Sequence, residues 1–148
     1  MTKCFFVTGT DTEVGKTVAS SALLQAANQL GFNTAGYKPV ASGSDLTAQG
    51  LRNEDALALQ RNSRVALRYE QVNPYTFAEP TSPHIISADE GRPIAATTLS
   101  SGLRELERLA DAAGLPYLRM MENAGAAAAR ELMARVPGLK AAAASVSY

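Results

Sequence analysis

The sequence predicts an α/β fold in which a parallel sheet is flanked by helices, and three observations predict it. A short apolar run at Phe5, Phe6 and Val7 gives way to a glycine-bracketed loop from Gly9 to Thr17, an amphipathic segment follows from Val18 to Leu30, and a second short run from Asn33 to Val40 ends at its proline, Pro39. Strand, loop, helix and strand in that order form a βαβ unit, whose crossover makes the two strands parallel. Ligands of such sheets gather at the carboxyl ends of the strands. With 148 residues, 46% of them hydrophobic, the chain can bury one real core but not two.

The first run opens the sheet, and Cys4, the single cysteine, reads there as a buried core residue. Next comes Gly9-Thr10-Asp11-Thr12-Glu13-Val14-Gly15-Lys16-Thr17. Glycines let successive backbone N–H groups converge on phosphate oxygens, and the following helix presents its positive end. Lysine adds a point charge, and the threonine hydroxyl joins a Mg²⁺ shell. A Gly-Lys-Thr tripeptide can also be a plain helix cap, but here strand, two glycines, lysine, threonine and helix arrive together. Five residues rather than four separate Gly9 from Gly15, so this is a variant P-loop and the expected fold is a P-loop NTPase-like sheet. In the helix, Val18, Leu23, Leu24, Ala27 and Leu30 are expected on one buried face, and Gly31 supplies the stop.

Lys38 and Ser42 follow the second strand and are candidates to face the phosphate crevice. Residues 41–51 have loop composition. Asn53 to Gln60 reads as a helix capped by Asn53, with Leu57 on its apolar face and Asp55 in its first turn. Spacing alone favours Asp55 as a complement to the helix dipole over metal binding. Arg52, Arg61, Arg64 and Arg68 read as solvated charges. The proline-rich stretch from Asn73 to His84 reads as a structured loop or lid, with a short helix starting near Ser82 and Pro83 at its first position. His84, the only histidine, reads first as a structural group. Ala96 to Ala112 is a packing helix with Leu99, Leu103, Leu106, Leu109 and Ala110 on one side. Gly114 and Pro116 break it, Leu118 to Met133 reads as another helix, and the stretch from Ala141 to Tyr148 as a frayed tail.

Fourteen basic residues balance fourteen acidic ones, so no net field draws in nucleic acid or an anionic membrane. The single cysteine excludes an intrachain disulfide, and no Cys/His cluster suggests zinc. Neither a secretory leader nor a membrane-spanning run stands out, and a cytoplasmic protein is expected.

The motif from Phe6 to Thr17, the segment from Ala35 to Gly43, the Asp55 helix and Glu79-Pro80-Thr81-Ser82-Pro83-His84 together resemble the dethiobiotin synthetase family, over Met1 to about Leu103. The five-residue spacer is a feature of that family. The resemblance implies ATP- and Mg²⁺-dependent ring closure of 7,8-diaminononanoate with CO₂: a carbamate forms, ATP phosphorylates it, and the second amine displaces phosphate. It implies Lys16, Lys38 and Thr12 as catalytic groups, and Glu13, Val14, Gly15, Lys16, Thr17, Val18 and Asp55 around the nucleotide. It further implies Ser42, Thr12 and Lys38 against the substrate, Thr17 and Asp55 on the metal, His84 in a substrate-side wall, and a homodimer.

The family chain is about half as long again, so the sequence reads as a truncated member ending in a helical C-terminal segment, 104–148, of different origin. The family next carries an apolar strand leading to Glu-Gly-Ala-Gly-Gly, whose glutamate assists Mg²⁺. Glu122 imitates that glutamate only superficially, because Asn123 stands in place of a glycine and the sequence runs on as a helix former. Residues 103–125 instead resemble the N-terminal helices of the NAD(P)H-hydrate epimerase family, without its nucleotide loop. A sheet cut back to its first strands leaves open edges that helices do not easily replace. The alternative to a working synthetase is therefore a non-catalytic nucleotide-binding fragment.

Overall fold

The computed structural model describes residues 3–8, 15–80, 83–111, 117–122 and 140–143. In chain order these form β1 (Lys3–Thr8), α1 (Lys16–Gln29), β2 (Asn33–Tyr37), β3 (Val40–Ala41), β4 (Asp45–Thr47), β5 (Gly50–Arg52) and α2 (Glu54–Asn62). There follow α3 (Tyr69–Val72), β6 (Tyr75–Thr76), α4 (Pro83–Asp89), α5 (Ala96–Asp111), β7 (Tyr117–Glu122) and β8 (Lys140–Ala143). The expected βαβ unit is present, and the fold is a P-loop-type α/β arrangement around a parallel sheet of four strands in the order β2–β7–β1–β8.

Two of those strands correct the sequence reading. Tyr117–Glu122, expected to open a helix, is a strand lying between β1 and β2, and Lys140–Ala143, expected within an alanine-rich tail, pairs with the other side of β1. Among the described residues, the helical part of the C-terminal segment is the end of α5, which runs unbroken to Asp111. Residues 123–139 and 144–148 lie outside the described residues. The C-terminal segment thus supplies strands to the sheet, and the two inner strands, β7 and β1, are paired on both sides.

Alternation along the strands divides the core between the two faces of the sheet. Phe6, Ala35 and Tyr37 pack with Val40, Phe77 and the α5 residues Leu99, Leu103 and Leu106. Val7 packs on the opposite side with Leu24, Ala56, Leu59, Tyr69 and Val72. The Tyr37 hydroxyl donates to the Leu99 carbonyl at 2.9 Å, and burial pushes its ionisation well above the usual phenol range. Leu103 is fully enclosed, so Leu103→Ala should cost about 2 to 5 kcal/mol of unfolding free energy in a urea titration. A loss below about 1 kcal/mol would place Leu103 outside the core.

α1 turns a narrower face to the core than its sequence suggests. Ser20, Leu24 and Ala27 are buried, whereas Val18, Leu23 and Leu30 are exposed. The helix leans on β2, β7 and α2, with its apolar contact made by the buried 20–24–27 ridge and with Gln25 and Asn28 hydrogen-bonded to Asn62 at the end of α2. The stretch read as loop from Ala41 to Leu51 contains an antiparallel hairpin, β4 with β5. The proline-rich stretch contains β6, which pairs parallel with β3. The outer edge of β2 is occupied by the chain after α2: the Thr34 carbonyl accepts from Val65 N at 3.1 Å, Gly36 N donates to Ser63 Oγ at 2.8 Å, and Lys38 N donates to the Val72 carbonyl at 2.9 Å. That edge is closed to further strands.

Candidate functional site

Because the sheet is parallel, the ends of its strands share one edge, where Thr8, Tyr37, Glu122 and Ala143 terminate. β1 leads there into the phosphate loop. Glu13 and Val14, expected around the nucleotide, and Thr12, expected against the substrate, lie outside the described residues, as does Gly9. Gly15 is described. It stands at φ 86° and ψ 14°, a left-handed conformation natural to glycine, and immediately precedes Lys16 and Thr17 in the first turn of α1. Its cap residue, a glycine, offers no side chain to the turn, and among the described residues no acidic group lies in it. α2 is the opposite case, since Asn53 Oδ1 accepts from Ala56 N at 3.1 Å and Glu54 and Asp55 occupy the first turn. A helix start without an acidic first turn favours an anion there, whereas the acidic first turn of α2 does not. Val18 is 76% exposed in that first turn, so it can meet a ligand only from the solvent side.

Lys38 follows β2 directly and is buried, with its Nζ 3.6 Å from Asp55 Oδ2. Enclosing an ammonium is costly without a carboxylate or comparable partner beside it. The contact is longer than a hydrogen bond, and the Asp55 side chain is 46% exposed, open to solvent on its other side. Ser42 joins the same group, because Asn53 Nδ2 donates to its carbonyl at 3.3 Å. The structure therefore brings together Lys38, Asp55 and Ser42, with Asn53 as the tie.

Glu122 departs from expectation. It ends a strand and not a helix turn, and its register partner is Val7, while Met121 pairs with Tyr37. Its backbone stands at the sheet edge between the strand that carries Lys38 and the strand that enters the phosphate loop. Among the described residues no three His, Cys, Asp or Glu side chains cluster as a metal site. A cation held here would take few protein ligands, and Mg²⁺ commonly has that arrangement, completing its octahedron from phosphate oxygens and water.

α4 begins at Pro83 as the sequence suggested, but the side chain of His84 lies outside the described residues. Arg52 is not a solvated charge: its guanidinium stacks 4.2 Å from the Tyr69 ring centroid and approaches Glu70 at 3.6 Å. Sequence reasoning missed Asn73 and Tyr69. Asn73 is buried, and its amide donates to the carbonyls of Lys38 at 2.8 Å and Tyr75 at 3.0 Å while accepting from Tyr69 and Thr76. An Asn-Pro pair after a short polar segment signals a turn but not a grip on a distant lysine.

A family model described as an AAA domain matches residues 3–113. The ATP-dependent dethiobiotin synthetase of Serratia marcescens is 76% identical over 111 residues, covering 75% of this chain and 49% of that protein. The enzymes of the same name from Pseudescherichia vulneris and Escherichia coli K12 are 75% and 73% identical over the same length, covering 75% of this chain and 46% and 49% of theirs. The chain spans about half the length of these relatives. The family match ends at residue 113, so β7 and β8 lie beyond it.

Proposed function

The chain belongs to the AAA-domain family, and from that premise we propose that it closes 7,8-diaminononanoate with CO₂ to dethiobiotin, consuming ATP, as a step of biotin biosynthesis. The observation that carries the reading is the buried Lys38, paired with Asp55 at 3.6 Å on the sheet edge where α1 begins. One amine of the substrate adds to CO₂, the carbamate oxygen takes the γ-phosphoryl group of ATP, and the second amine attacks the carbonyl carbon and expels phosphate. Negative charge builds on the carbamate and on the transferring group, and catalysis of such a step is mostly positioning and electrostatic stabilisation.

Lys16 holds the β- and γ-phosphates with the α1 N-terminus, alongside Glu13, Val14, Gly15 and Val18 of the loop and its first turn. Lys38, Thr12 and Ser42 hold the carbamate. Thr17 and Asp55 would hold Mg²⁺, which when bound would neutralise charge on the phosphates. A homodimer in the cytoplasm completes the proposal. No described helix is long and apolar enough to cross a membrane.

A second reading has its own support, because the chain spans about half of its relatives: a nucleotide-binding fragment without turnover. Calorimetric titration with Mg-ATP, followed by mass detection of dethiobiotin in the presence of 7,8-diaminononanoate and bicarbonate, separates the two. Product above a Lys16→Ala blank supports the synthetase, binding without product supports the fragment, and neither signal removes both.

A further inference from the structure

The site's two halves are joined by one phenol. Tyr69 lies at the start of α3, with its ring buried beneath Arg52, and its hydroxyl accepts from Asn53 N at 2.8 Å and donates to Asn73 Oδ1 at 2.7 Å. Asn53 caps α2, so it sets where Asp55 stands, and its side-chain nitrogen reaches the carbonyl of Ser42. Asn73 holds the Lys38 carbonyl at 2.8 Å, and the residue before it, Val72, accepts from Lys38 N at 2.9 Å. Each hydrogen-bonding position of the Asn73 amide is used, with Thr76 as the second donor to Oδ1 at 2.6 Å and the Tyr75 carbonyl as the second acceptor. A fully satisfied amide in a buried position has one orientation and resists displacement.

We propose that Tyr69 is a positioning residue: its hydroxyl fixes the separation of Lys38 and Asp55 by tying the turn that carries one to the helix cap that carries the other. The inference rests on the reading of Lys38 and Asp55 as reaction-centre groups, but its geometry is independent of turnover. Structural bonding alone would need only that each polar group find some partner. Here one hydroxyl links two segments whose common product is the placement of a charge pair. A small displacement at that pair matters, since misplacement by about 1 Å can lower a positioned reaction by roughly a hundredfold.

The test removes the hydroxyl and keeps the ring. Tyr69→Phe in the full chain is compared with wild type by ¹³C-lysine spectra, in which the four lysines are assigned by substitution. The Lys38 εCH₂ signal should move while that of Lys16 stays in place. A kinetic comparison should show kcat lower by about tenfold to a hundredfold with KM for Mg-ATP unchanged. An unmoved Lys38 signal in a folded Tyr69→Phe protein overturns the proposal, as does an unchanged kcat. If wild type makes no dethiobiotin, the proposed activity fails while the Lys38 signal still decides the positioning role. Should Tyr69→Phe not fold, Asn73→Ala cuts the same chain one link further on and is judged by the same spectrum.

Discussion

Lys38→Met is expected to lower dethiobiotin formation by roughly a hundredfold to a thousandfold while leaving Mg-ATP affinity within a factor of about three. Methionine keeps the unbranched stem that Lys38 buries and removes only the ammonium. The partner carboxylate survives the change because the Asp55 side chain is 46% exposed, so water replaces the lost cation at little cost. What disappears, on the proposed reaction, is a positive charge set beside the group that gains negative charge. Lys16→Ala should fail differently, by losing triphosphate binding, since that lysine sits in the first turn of a helix with no capping side chain. Two lysines with separable defects would place one on the nucleotide and the other on the carbamate. Equal loss of ATP affinity in both variants would sink that division.

Much of this arrangement is legible in the chain. The βαβ unit, the Asn53 cap, the Pro83 start and the leucine stripe of α5 are local signals, and each appears where its chemistry demands. The failures have a common physical form. Tyr117–Glu122 contains leucine, arginine, two methionines and glutamate, which favour helix by a few tenths of a kcal/mol per residue. As a strand it gains hydrogen-bond ladders on both sides, from β1 and β2, and that outweighs so small a preference. Lys140–Ala143 likewise has no β-branched residue and, among the described residues, is paired with β1. Neither gain is visible in a window of neighbouring residues, because the partners lie about a hundred positions away. α1 fails for the converse reason: its apolar residues are wider spread than the surface that receives them, leaving Val18 and Leu30 outside.

The candidate site divides along the same line. Lys16, Lys38, Ser42 and Asp55 carry motif-level signals, but their mutual placement does not. That placement depends on Tyr69 and Asn73, which have no motif. It depends also on β7, whose end puts Glu122 between the phosphate-loop strand and the Lys38 strand. The doubt attached to Glu122 rested on Asn123 in place of a glycine and on the helix-forming sequence after it, and residues 123–139 lie outside the described residues.

Gly36→Val should cost about 3 kcal/mol, the upper end for overpacking, and should weaken the site as well as the fold. Glycine in the middle of a strand is ordinarily unfavourable, and replacing it by alanine gains about 0.4 to 1 kcal/mol through the unfolded chain where space allows. Space does not allow it here: a Cβ on Gly36 would meet Leu59 Cβ at 2.8 Å, the Leu59 carbonyl at 3.3 Å and Leu24 Cδ1 at 3.4 Å. The first two are parts of the α2 framework and cannot rotate away. α2 would therefore have to lift from the sheet, opposed by the Ser63 Oγ bond to Gly36 N at its far end. Lifting α2 moves Asn53 and Asp55 with it, so the Lys38 pair opens as the packing loosens. Urea denaturation of Gly36→Ala and Gly36→Val should give losses in that order, accompanied by a displaced Lys38 signal in the folded variant. A Gly36→Ala protein as stable as wild type, with Lys38 unmoved, would show that α2 has room to spare and that the site does not depend on its close approach to β2.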